Sequence, residues 1–210
     1  SAYKYIYLSI KNKTGIDESV ISFMANLNKI DSLVIAADAY KHIGKYEEAK
    51  YCSYKAIYLA KNNSKYQEVF KQFWYTLTLY DADEEENINY VSKNCVVILT
   101  FKRYKKIILL EDDIYFKEND NFKGAIIART YSETGLKLLR KKKGEKVSLD
   151  KKEFIVEEIF NKYTYFARVS FKHIKNSKHF KSFESSCDKI EESLEQIKKE
   201  MLEMNNSRNR

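Results

Sequence analysis

The chain has 210 residues, 44% of them apolar, enough to bury one large core or two small ones, which excludes global disorder. Its 38 basic and 30 acidic residues give a formal charge of +8, but the signs are interspersed and only Lys141-Lys142-Lys143 makes a compact basic run. No run approaches the roughly 18 apolar residues that span a bilayer.

From the N-terminus the pattern is helical. Asp17 caps a segment carrying Val20, Ile21, Phe23, Met24 and Leu27. Asp31 or Ser32 caps the next, with Leu33, Ala36, Ala37 and Tyr40. Tyr46 to Ala60 follows across Gly44, and a further helix from Ser64 to Tyr80 carries Val69, Phe70, Phe73, Trp74 and Leu77. The polar, acidic stretch 81–94 reads as a boundary. It divides the chain into a helical domain at 1–82, a linker at 83–94, a second domain at 95–205 and a tail at 206–210.

Beyond the boundary the pattern becomes that of strands and turns. Cys95 to Phe101, Ile107 to Leu110, Ile114 to Phe116 and Ala125 to Tyr131 are short and rich in β-branched residues. Leu136 and Leu138 alternate, as do Val147 and Leu149. Glu153 to Phe171 fits both a helical stripe and an alternating strand pair with Asn161-Lys162 as the turn. A last helix starts at Ser177 or Ser182. The fold class is therefore α+β: a helical hairpin repeat, a small antiparallel β-barrel or sandwich and a C-terminal helix.

The sequence carries little that reads as chemistry. Cys52, Cys95 and Cys187 are widely spaced and fit neither a disulfide framework nor a zinc site, a usage that favours the cytoplasm. The chain begins at Ser1 rather than Met, which leaves an upstream signal or anchor open. His42, His173 and His179 are scattered, and Asp112-Asp113 reads as a solvated bend. With no nucleophile elbow, phosphate-binding glycine loop or zinc-protease signature, neither an enzyme nor a cofactor or metal is expected.

Within the helical part, Ala37, Tyr40, Gly44, Tyr46, Ala49, Ala56 and Leu59 set small against large residues across one turn. This spacing resembles the tetratricopeptide repeat, with Lys61 where a proline usually closes the unit. The resemblance implies a concave surface for another protein, lined here by Tyr40, Lys41, Tyr51 and Tyr54. In the second part, Thr130-Tyr131-Ser132-Glu133-Thr134-Gly135 is followed by a strand, a turn at Gly144 and a strand at Val147-Ser148-Leu149. Phe166 to Phe171 comes later. That order resembles the PilZ domain, a small bacterial β-barrel that in many members binds cyclic di-GMP, and it favours strands over Glu153 to Phe171. It implies a nucleotide site at Lys102, Arg103, Lys106, Ser132 and Gly135, with lysines in place of the family's paired arginines.

The expected function is thus a non-enzymatic adaptor that binds a protein through the helical repeat, with the barrel as a second docking or scaffold module. A cyclic di-GMP receptor is the alternative. Nucleic-acid binding rests on charge alone and is not expected; peripheral membrane association is left open.

Overall fold

A computed structural model describes residues 5, 6, 9, 15–80 and 88–175. The protein is α+β. Its described elements run α1 (Glu18–Asn26), α2 (Ile30–His42), α3 (Tyr46–Ala60), α4 (Tyr66–Tyr80), β1 (Cys95–Phe101), β2 (Tyr104–Leu110), β3 (Asn121–Phe122), β4 (Ala125–Ala128), α5 (Glu133–Leu138), β5 (Lys146–Leu149), β6 (Lys152–Asn161) and α6 (Lys162–Lys175). Residues 83–87 of the expected linker, the expected helix from Ser177 or Ser182 and the tail at 206–210 lie outside the described residues. One compact unit ends at Ser170, and the last five residues of α6 belong to a second.

The helical part follows from its punctuation. Asp17 accepts a hydrogen bond from the Ser19 N–H and so caps α1. Asp31, expected as a cap, lies instead in the first turn of α2 and reaches Lys65 at 2.8 Å. Gly44 adopts φ +77°, and the adjacent Lys45 N–H bonds back to the Tyr40 carbonyl, which ends α2 and turns the chain into α3. Ala37, Ala49 and Ala56 are all buried, so the two backbones approach closely.

The strands make one six-stranded sheet in the order β3-β4-β2-β1-β6-β5. It is open, not the closed barrel expected, and it is mixed: β2 and β4 run parallel while the other pairs are antiparallel. Ile114 to Phe116, expected as a strand, is a turn within the segment 111–120. Two further local choices account for the open sheet. The Leu136/Leu138 alternation is not a strand, because Ser132 caps a short helix there and Lys137 pairs with Glu133 one turn back. Likewise Asn161-Lys162 is a strand-to-helix junction and not a hairpin, so Phe166 to Phe171 is helical. Without those two strands, the edges β3 and β5 have nothing to close them. One sheet face carries Val97, Leu99, Ile108, Leu110 and Val156, packed with Leu138 and Phe154. The alternate residues Val96, Leu109 and Ile127 are also buried, so the central strands are covered on both faces.

The helical part and the sheet part share an aromatic seam. Tyr54 of α3 stacks on Phe116 with centroids 4.9 Å apart and meets Phe166 of α6 at 5.7 Å. Tyr58 meets Phe122 edge-on at 5.2 Å, and Phe122 stacks on Phe166 at 4.1 Å. At the rim, Asp120 accepts hydrogen bonds from the Tyr58 hydroxyl and the Lys61 ammonium. Burial works against the Asp120 charge, but Lys61 and Tyr58 outweigh it and hold the carboxyl below its usual range. The linkage is then fixed in sign: the pair's stabilisation is present above the unfolded carboxyl's pKa of about 3.9 and is lost as pH falls through the lower folded value. Asp120→Asn is expected to be less stable than the parent at neutral pH, with the gap narrowing below about pH 4. Urea midpoints of both proteins across that range check it, and a constant gap would refute the linkage.

Candidate functional site

The chemistry of this fold gathers where β2 and β4 end side by side, Leu110 opposite Ala128. Two segments leave the sheet there, 111–120 and 129–132, and four charged side chains tie them down. Glu111 and Lys162, the latter opening α6, form an ion pair of 2.6 Å in which the side chains are only 1% and 3% exposed. The other Glu111 oxygen accepts from the Asp113 N–H, and Lys162 also donates to the Asn94 side chain. The Lys162 ammonium further lies 4.7 Å from the Tyr54 ring centre, a cation–π contact with the helical part. These interactions of the pair join β2, α6 and α3, so it clamps the three together.

Arg129, at the end of β4, is buried without a carboxylate partner among the described residues. Its guanidinium instead donates to the carbonyls of Glu111 and Asp113, both at 2.7 Å, and of Phe116 at 2.5 Å. A planar fork can hold three carbonyls of one loop at once, which an ammonium cannot. Asp112, read from sequence as a solvated bend, accepts from both the N–H and the hydroxyl of Thr130 at 2.8 Å. The two segments are thereby locked to each other.

On this rigid base sit large apolar side chains facing solvent. Ile114 is 85% exposed, Tyr131 70% and Leu136, on α5, 63%. Tyr115 beside Ile114 is partly held by the Lys55 ammonium, 3.5 Å from its ring centre.

Gly135 underlies the same end. A Cβ there would come within 2.0 Å of the Arg129 carbonyl oxygen and 2.7 Å of that of Thr130. In an ordinary helix Gly→Ala stabilises by about 0.5–1 kcal/mol. Here the obstruction is backbone, so Gly135→Ala is expected to destabilise by about 1–3 kcal/mol; a thermal melt with an unchanged or raised midpoint would contradict it.

The residues expected to bind a partner on the helical surface are placed differently. Tyr54 is fully buried in the seam, and Tyr40 is buried with its hydroxyl sharing a hydrogen bond with Ser22. Tyr51 is half-buried, with the Lys55 and Lys162 ammonium groups near its ring. Lys41 pairs with Asp38 on its own helix. Buried Tyr40 and Tyr54 cannot line an open groove; the face of α3 that carries Tyr54 is occupied by the chain's own 116–122 segment and α6. The expected nucleotide-site residues are not brought together either. Lys102 and Arg103 form the β1–β2 turn, at the opposite end of β2 from Ser132, and Lys106 pairs with Asp150. Ser132 is spent capping α5, and Gly135 is buried beneath backbone.

Sequence reading missed Glu111, Arg129 and Lys162 as determinants. The one available signal was a run of three acids directly after an apolar strand, which asks for cationic partners elsewhere in the chain. Among the described residues no group of three or more His, Cys, Asp or Glu could hold a metal, and no helix is long and apolar enough to cross a membrane. No protein-family model, no curated protein and no solved structure matches the chain.

Proposed function

We propose that this protein is a non-catalytic adaptor whose protein partner docks on the loop end formed after β2 and β4. One observation carries the reading: Ile114 and Tyr131 are held out to solvent on segments that Arg129 and the Asp112–Thr130 pair make stiff, and Leu136 is exposed on α5, which Ser132 caps. Isolated exposed apolar residues are ordinary, but two on cross-braced segments with a third on the adjoining capped helix are suited to a contact surface. A preorganised surface loses little further entropy on binding. In this reading the tetratricopeptide-like hairpin serves as a brace that backs the loop through Tyr54 and Tyr58, and the sheet is the docking module.

The test uses the whole chain immobilised on resin with a lysate of its source cells. Ile114→Glu/Tyr131→Glu is expected to abolish retention of a protein that the parent holds, while Lys41→Glu on the helical surface leaves it unchanged. Loss in the Lys41 variant alone would return the site to the helices, and retention by every variant would refute docking at the loop end. Calorimetry with cyclic di-GMP is expected to give no binding heat.

A further inference from the structure

We infer that the other end of the sheet is a second binding surface, built for single-stranded nucleic acid. It does not depend on the adaptor reading, since it concerns different residues at the far end of β2. Two tight hairpin turns lie side by side there. Lys102-Arg103 joins β1 to β2, and Asp150-Lys151 joins β5 to β6. Lys102, Asp150 and Lys151 all adopt the left-handed conformation that such turns require. Because β1 and β6 are neighbours, the two turns are two strand spacings apart, about 10 Å.

The charges at this end are sorted. Each acid already has its own lysine: Asp150 with Lys106, Glu153 with Lys146, and Glu157 with Lys105. That leaves Lys102, Arg103, Lys151 and Lys152, all exposed and with no ion pair among the described residues, the Lys152 charge acting on Asp150 only from a distance. In their midst stands Tyr104, 55% exposed, its ring 6.1 Å from Phe154 and 5.8 Å from the Lys152 ammonium. By contrast, the basic run in the sequence is partly neutralised, Lys141 reaching Glu145.

Unpaired cations around an exposed aromatic ring are the two elements of sequence-tolerant single-strand binding: phosphates meet the cations, and a base stacks on the ring. An anionic membrane would satisfy the cations equally and can seat a tyrosine at its interface, but the ring here is tilted against Phe154 and flanked by charge, with no amphipathic helix face beside it among the described residues to enter a bilayer. The nucleic-acid strand is therefore the occupant the geometry favours.

Fluorescence anisotropy of a labelled single-stranded oligonucleotide of about 20 nucleotides, titrated with the full chain, tests this. Four phosphate contacts predict an affinity that falls about 50-fold between about 50 and 200 mM salt. Arg103→Glu/Lys152→Glu is expected to weaken binding at least about tenfold and to reduce that salt effect to about sevenfold. Lys142→Glu/Lys143→Glu changes the net charge equally and is expected to leave the affinity within about twofold. Tyr104→Ala, read separately, is expected to weaken binding about tenfold with the salt dependence unchanged. Circular dichroism melts matching the parent's confirm that each variant is folded. No binding at the lower salt, equal loss in the two charge variants, or binding to phosphatidylserine vesicles without binding to the oligonucleotide would each overturn the inference.

Discussion

Lys162→Met is expected to cost about 3–5 kcal/mol of folding stability, the range for stranding one member of a buried ion pair. The side chain removed is long and mostly aliphatic, so Met restores its volume and the loss measures charge, not a cavity. Glu111 would be left 1% exposed, with only the Asp113 N–H among the described residues to meet its carboxylate. Desolvation of that orphan is what makes the single change severe. Adding Glu111→Leu should recover most of the loss, because an apolar pair of similar volume often matches a buried salt bridge. Urea unfolding of the two singles and the double gives the comparison, and a double variant worse than either single would show that the pair is worth far more than its desolvation cost.

Arg129→Leu is the second large effect. It leaves the carbonyls of Glu111, Asp113 and Phe116 without their shared donor. Each unsatisfied buried group costs about 1–3 kcal/mol. Asp113 is only half-buried and can recruit solvent, so the expected total is about 3 kcal/mol. The change should also be local: amide exchange should accelerate in 112–117 while β1 and β6 keep their protection. Arg129→Lys should rescue little, since an ammonium cannot reach three carbonyls of one loop. Full rescue by lysine would mean that charge, not the fork, holds the segment. If the adaptor reading holds, Arg129→Leu also weakens partner capture without altering any exposed side chain.

The helices from Glu18 to Tyr80 could be read directly, because their apolar residues recur at helical spacing and Asp17 and Gly44 punctuate them as chemistry predicts. Strands β1, β2 and β4 were legible for the same local reason. The errors came where two periods compete within a few residues. Leu136 and Leu138 alternate like a strand, yet one is exposed and the other buried on a single short helix that Ser132 caps. Between 162 and 175, an alternating run belongs to α6. Each error had a topological cost, since two helices in place of strands are the difference between a barrel and an open sheet. The candidate site was less legible still. Glu111, Arg129 and Lys162 are separated by 18 and 51 positions from their partners, and no local pattern announces such pairings. Nor does composition reveal that Tyr54, rich in apparent binding potential, faces Phe116 and Phe166 of its own chain.

The aromatic seam has a practical consequence for mapping interactions with fragments. A piece ending near residue 82, the natural cut suggested by the acidic stretch, would bare Tyr54 and Tyr58, which the intact chain covers with Phe116, Phe122 and Phe166. The complementary piece would bare those three phenylalanines. Each fragment would then adhere to hydrophobic surfaces it never meets in the whole protein, and the two would bind each other. Hits obtained with halves would report this self-complementarity, so baits should carry both halves in one chain.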